Sequence, residues 1–256
     1  IESGGDALYD SLKLAADELD KIERIAPLDS LPQVLIVGEI YVRKDGISRR
    51  WLPERLAESG IISHVAPLHE WLHYVDWLVI NKEAQFGDNT FLDRIKAKLK
   101  NSVMSRSERR IKTILEKSNW YIKRLVDIDH VIGASKYYIS PKLPGEAVLT
   151  TGGPLAEVGT NFCGSLSIGP FGCMPNRLSE SILNLKMSKE HILTHRNDEM
   201  TRTILDKVSD LPFLAIESDG NPFPQVIEAR LETFIIQSFR LHDAMSEYKY
   251  SSELVQ

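Results

Sequence analysis

Two cysteines in 256 residues are too few for a disulfide framework, so the chain reads as the product of a reducing compartment, the cytoplasm. No apolar run approaches the ~20 residues that span a bilayer, and no signal-peptide pattern opens the chain, so no membrane partner is expected. The patterns G-x-x-x-x-G-K-[ST], G-x-G-x-x-G after a strand, G-x-S-x-G and C-x-x-C are all missing. Their absence excludes the phosphate loop, the dinucleotide turn, the nucleophile elbow and the dithiol motif. Gly152-Gly153 is too little to cradle a phosphate. A net charge of -5 gives no reason to expect nucleic acid as a partner. Methionine is also scarce: the chain opens Ile1-Glu2-Ser3-Gly4-Gly5, and its first Met is Met104. It therefore reads as a piece of a longer protein, whose other domains are its expected partners.

What is present is ordinary for a globular chain: 43% apolar and 26% charged residues, enough for one large domain or two small ones. Residues 7–25 carry Leu8, Leu12, Ala15, Leu19 and Ile22 at helical spacing, and Pro27 and Pro32 bound a linker. Residues 33–41 are a continuous apolar run that then turns polar, the pattern of a central parallel strand. Residues 48–59, with Trp51, Leu52, Leu56 and Ala57, predict a short helix ended by Gly60. A second strand follows over residues 61–67, completing a βαβ unit.

From residue 68 to about 125 the pattern is helical, with one stripe at Phe91, Leu92, Ile95, Leu99 and Val103 and a second segment at Ile111, Ile114 and Leu115. Basic residues outnumber acids between Arg94 and Arg124, which suits either phosphate groups, as in a nucleotide or a coenzyme A tail, or a solvated helix face. The chain then turns through Pro141, Pro144 and Gly145. Residues 147–150 fit either a strand or the start of a helix, because so short a run has no decisive period. Residues 188–210 have scattered helical spacing, 211–217 read as a further strand, and Ile227, Leu231, Phe234, Ile235 and Phe239 mark a last long helix.

The stretch around which these elements are organised is residues 162–185. Residues 162–168 are largely apolar and uncharged, as in a strand buried on both faces. Gly169-Pro170-Phe171-Gly172 breaks the strand, and Pro175 with Leu178, Ile182 and Leu185 starts an amphipathic helix. Cys173 thus stands at a strand-to-helix junction, where unpaired amides and the helix dipole stabilise a thiolate. Cys163 lies within the strand and reads as core. The alternation of strands and helices predicts an α/β, Rossmann-like, mainly parallel sheet with helices on both faces. Ligands bind such sheets outside the carboxyl ends of the strands. The loops at that edge contribute Glu39, Tyr41 and Arg43; Pro67 and His69; Phe171 and Cys173; and Glu217, Ser218 and Asp219.

His69-Glu70-Trp71-Leu72-His73 matches the H-E-x-x-H zinc pattern, in which two histidines one turn apart bind metal and the glutamate acts as base. No extended zinc signature follows, and Glu83 is the only carboxylate offered as a third ligand. The competing expectation places Trp71 and Val75 toward the core, with the histidines partly exposed.

Four stretches taken together resemble the 2-hydroxyacyl-CoA dehydratase-like superfamily, in particular the C-terminal region of acyl-CoA dehydratase activase-related proteins. They are Val37-Gly38-Glu39-Ile40-Tyr41-Val42-Arg43; Ala66-Pro67 with Glu70, Trp71 and Tyr74; Gly169-Pro170-Phe171-Gly172-Cys173-Met174-Pro175 with Glu180; and Pro212-Phe213-Leu214-Ala215-Ile216-Glu217 with Glu228, Arg230, Leu231 and Glu232. The resemblance spans about residues 33–240, in one order. It implies a domain with residues 1–32 as an N-terminal helix and linker, 33–240 as the α/β domain with a helical insertion at about 68–125, and 241–256 as a C-terminal tail.

In that family an ATP-hydrolysing activator passes a low-potential electron through iron–sulfur clusters to a dehydratase that removes water from a 2-hydroxyacyl-CoA. By resemblance Cys173 is the candidate cluster ligand, Glu39 is the acid of G-E-I-Y, and His69 and His73 are local decoration. A cluster takes about four thiolates, or three with one open iron. Cys173 and Cys163 form no ligand run, so an iron–sulfur cluster would need ligands from outside this chain. The ATPase sequence of the activator is absent. A non-catalytic domain that only docks partners is the alternative expectation.

Overall fold

In the computed structural model, which describes residues 4–84, 90–143 and 145–253, the chain runs α1 (Gly4–Asp20), a 3-10 turn (Leu28–Ser30), β1 (Gln33–Gly38), α2 (Leu52–Glu58), β2 (Ile62–Val65), α3 (Leu68–Ile80) and α4 (Phe91–Glu116). It continues α5 (Ile128–Ser135), α6 (Ala147–Glu157), β3 (Ser165–Pro170), α7 (Met174–Lys186), α8 (Lys189–His195), α9 (Glu199–Lys207), β4 (Phe213–Ser218) and α10 (Gln225–Glu253). The turn residue Pro144 lies outside the described residues. The chain divides into two units, one of Ile1–Leu31 with Leu72–Ile128, the other of Pro32–Trp71 with Asp129–Gln256.

The second unit is built on a four-stranded, all-parallel sheet in the order β2-β1-β3-β4. Gln33 of β1 stands opposite Ile62, Leu35 opposite Ser165, and Ser165 opposite Phe213. Every residue of β1 is buried, as an apolar run without alternation requires of a strand covered on both faces. Val34, Ile36, Leu166, Ile168 and Ile216 have no exposed surface and anchor the core. Each such side chain contributes about 1.5–3 kcal/mol relative to leaving it in water. Gly38 sits at φ +109°, and a Cβ there would lie 2.0 Å from the Ile168 carbonyl oxygen. Only glycine lets β1 end this close to β3.

The ambiguous stretch after residue 146 is helical: α6 is buried from Ala147 through Ala156, which explains why it shows no one-sided period. Gly152 lets it pack on α5, since a Cβ there would meet the Val131 carbonyl oxygen at 2.2 Å. The glycine pair therefore serves close packing. Other boundaries move by a few residues. α2 begins at Leu52, because Arg50 and Trp51 adopt left-handed φ values of 53° and 50° and turn the chain before it. Leu52 and Leu56 are its buried residues, and Trp51 is exposed. Residues 241–253 continue α10, with Leu241 and Ala244 in the core.

In the first unit α1 packs along α4, and the Arg110 guanidinium lies 3.4 Å from the Tyr9 ring centre. A capping box starts α4: Thr90 Oγ1 accepts from the Asp93 N–H at 3.2 Å, and Asp93 Oδ2 accepts from the Thr90 N–H at 3.2 Å. The stripe Phe91, Leu92, Ile95, Leu99 and Val103 is exposed. Much of the basic run is tied up inside the unit: Arg94 Nε donates to the Ile80 carbonyl, Lys100 pairs with Asp76 at 2.8 Å, and Lys112 pairs with Glu108 and donates to the Arg124 carbonyl.

A candidate functional site at the carboxyl edge of the sheet

All four strands of the second unit are parallel, so their carboxyl ends share one edge, and the loops read from the sequence leave from it. The loop after β1 is shaped by Glu39. Its carboxylate accepts the Tyr41 N–H at 3.1 Å and the Val42 N–H at 2.8 Å, and its carbonyl accepts the Arg43 N–H at 3.0 Å. Glu39 is thereby a turn-capping residue, its oxygens engaged by backbone. Tyr41 projects outward and is 66% exposed.

That turn drives Arg43 inward to 1% exposure. Nη1 donates to the Gly38 carbonyl at 2.9 Å, while Nε and Nη2, both sealed from solvent, have no hydrogen-bond partner. Burial pulls the guanidinium below its usual pKa, opposed by the charges of Glu70, Glu146 and Glu39, in that order. The site thus offsets part of the charge of Arg43 and leaves the N–H groups of Nε and Nη2, three in all, unmet among the described residues. Leaving buried donors unsatisfied costs several kcal/mol for a charged group, so such groups call for an acceptor.

Glu70, on the first turn of α3, is 9% exposed, and burial pushes its carboxyl up to about 7 against the pull of Arg43 and His69. Near neutrality it therefore holds a proton that it can exchange. At the neighbouring strand end, Asn176 of α7 is buried; its Oδ1 accepts the Ser167 hydroxyl at 2.7 Å and its Nδ2 is sealed and unpartnered. Asn176 packs on Gly169, one residue beyond the Gly38–Ile168 pair, so the unmet donors of Arg43 and Asn176 stand over adjacent strand ends.

Of the other predicted residues, Phe171 is 78% exposed and forms rim. Glu217 accepts the Gly172 N–H at 3.2 Å and lies 2.6 Å from Arg177 Nε, a contact off-line for a hydrogen bond and therefore Coulombic. Arg177 also pairs with Glu180 at 2.7 Å. Glu217 thus braces the β3–α7 loop against β4. Ser218 Oγ donates to the Ser48 carbonyl, and Asp219 accepts the Asn221 N–H at 2.9 Å in a local turn.

Cys173 is the N-cap residue of α7 and half-buried, but it makes no side-chain capping bond to the helix amides. Cys163 lies before the amino end of β3, where its thiol donates to the Gln33 carbonyl at 3.1 Å and burial pushes its pKa up to about 12. At about 3.3 Å per residue the six residues of β3 separate the two sulfurs by roughly 20 Å, far beyond the span of one cluster. This chain therefore brings one thiol to the edge, which does not fit a cluster by itself.

The H-E-x-x-H residues separate chemically. His73 is 4% exposed, with Nδ1 hydrogen-bonded to Asn101 Oδ1 and Nε2 3.7 Å from Glu108. Against the expectation Val75 is exposed and His73 buried, while Trp71 is half-buried and His69 partly exposed, as expected of a histidine here. Among the described residues no group of three His, Cys, Asp or Glu is placed to hold a metal ion. No described helix is long and apolar enough to cross a membrane.

Glu70 stood out in the sequence only as the base of a zinc pattern, and Asn176 and Arg177 did not stand out at all. The Glu70 signal was present within E-W-x-x-Y, but its partnership with Arg43 exists only once β2 lies beside β1. The fold is an α/β, Rossmann-like domain in which the carboxyl ends of four parallel strands share one edge. No protein-family model, curated protein or solved structure matches the chain.

Proposed function

We propose that the second unit is the substrate-holding domain of a 2-hydroxyacyl-CoA dehydratase-like system and receives the acyl thioester at this edge. The observation that carries the reading is Arg43, a fully buried guanidinium with two donor nitrogens that no acceptor among the described residues meets. Because Glu70, Glu146 and Glu39 already offset part of its charge, the fitting partner is a neutral oxygen acceptor such as a thioester carbonyl. Dehydration of a 2-hydroxyacyl thioester also needs a proton for the departing hydroxyl. Glu70, poised at about 7, is placed to give it. The reducing equivalent for such chemistry comes from an activator outside this chain. Cys173 would add one ligand to an iron–sulfur cluster whose other thiolates lie in other domains of a longer parent protein.

The test is calorimetric titration of lactoyl-CoA and free coenzyme A into the wild type and Arg43→Gln, with circular dichroism as the folding control. The reading predicts tighter binding of the thioester than of coenzyme A, weakened about tenfold or more in Arg43→Gln, which equals about 1.4 kcal/mol. Equal binding of both ligands to both proteins, or none, would sink it in favour of a domain that only docks partners. Anaerobic reconstitution with iron and sulfide should give no stoichiometric cluster in the isolated chain. A cluster that forms in the parent protein should be lost in Cys173→Ser.

A further inference from the structure

A cavity of about 340 Å³ opens in the same unit between α5 and its following turn, the end of α6, and α8. Its buried floor is Leu155 and Ala156, in the last turn of α6. That helix ends where the chain approaches the start of β3, so the cleft lies at the amino edge of the sheet, opposite Arg43. The cavity is independent of the thioester reading.

The walls combine stacked rings with unpaired cations. The His195 ring lies over Tyr137 with centroids 4.5 Å apart and planes 16° from parallel, and Tyr138 meets the same imidazole edge-on at 5.6 Å. Lys136 Nζ stands 5.4 Å from the Tyr137 ring and makes no ion pair. Arg196 Nη1 donates to the Val158 and Leu155 carbonyls at 2.7 and 3.2 Å, capping the end of α6. Arg196 Nη2 is sealed and has no hydrogen-bond partner. His191 Nδ1 is engaged by Ser188 Oγ at 2.8 Å, which leaves Nε2 as its other polar atom.

The acids near Arg196 are committed elsewhere. Asp198 accepts the Thr201 N–H at 2.9 Å and its hydroxyl at 2.8 Å. Glu157 accepts from Asn161 Nδ2 and lies 4.0 Å from His130. Asp129 is the one acid on the lining. The cleft thus offers a flat ring surface beside Lys136, which has no ion pair among the described residues, and Arg196, whose charge Asp198 and Glu157 offset only in part, in a volume at the small end of ligand sites. A ring carrying one anionic group uses both features, because a phosphate takes a hydrogen bond from Lys136 near the positive charge of Arg196 while the ring stacks on the exposed face of Tyr137 or His195.

We infer that this cleft binds a small aromatic phosphate of nucleoside monophosphate size. The test titrates AMP, adenosine and inorganic phosphate into the full chain and into Lys136→Gln and Tyr137→Ala, both exposed positions that leave the core intact, with Arg43→Gln as a control. AMP should bind at least tenfold more tightly than either adenosine or phosphate. Lys136→Gln should weaken AMP about fivefold or more while leaving adenosine unchanged, and Tyr137→Ala should weaken both. Arg43→Gln should change none of these, which separates this site from the carboxyl edge. AMP binding no tighter than its parts, or insensitive to both cleft variants, would overturn the inference. AMP binding abolished by Arg43→Gln in a folded protein would overturn it equally.

Discussion

Replacing Glu70 by Gln should change how stability depends on pH, in a direction opposite to that of an ordinary paired carboxylate. The folded carboxyl is pushed up to about 7 from a reference of 4.5, chiefly by burial. Between these values the folded chain holds a proton that the unfolded chain has released. Stability attached to Glu70 is therefore fully present below about 4.5 and is lost as pH rises through about 7. At about 1.4 kcal/mol per pH unit, the loss across the interval is about 3 kcal/mol. Glutamine resembles the protonated acid, so Glu70→Gln should match the wild type near pH 5 and exceed it by up to about 3 kcal/mol at pH 8. Urea denaturation at half-unit steps from pH 5 to 8, read by tryptophan fluorescence and circular dichroism, measures the difference directly. A constant difference between the two proteins across that range would refute the argument that Glu70 is buried with its charge incompletely balanced.

Two further outcomes follow from the geometry. Gly38→Ala should prevent the β1–β3 pairing or cost more than about 3 kcal/mol, because the added carbon meets the Ile168 carbonyl at 2.0 Å and the left-handed φ disfavours it; a variant as stable as wild type in urea would contradict this. Iodoacetamide at pH 8 should label Cys173 and spare Cys163, whose thiol is buried, hydrogen-bonded and raised to about 12; mass spectrometry showing equal labelling would place Cys163 elsewhere.

The parallel sheet was legible because β1 is an apolar run without alternation and β3, though it alternates Ser165-Leu166-Ser167-Ile168, carries no charge, as burial on both faces requires. α6 was not, since a helix buried all round loses the one-sided stripe by which helices are recognised. The edge loops were legible as a place, and Arg43 was among their residues. What the sequence could not convey is that Arg43 would turn inward while Tyr41 and Phe171 turn outward, because the turn capped by Glu39 decides that. Glu70 stood within a zinc-like pattern that drew attention to the wrong chemistry. His73, three residues on, is instead held by Asn101 and stands beside Glu108.

The central claim is that the unmet donors of Arg43 receive a thioester carbonyl oxygen. Infrared difference spectroscopy with lactoyl-CoA labelled with carbon-13 at the thioester carbonyl tests it most directly. Hydrogen bonding from a buried guanidinium should move the carbonyl band to lower frequency on binding, and Arg43→Gln should abolish that shift. A bound thioester whose carbonyl band stays at its solution frequency, or shifts equally in the variant, would contradict the account.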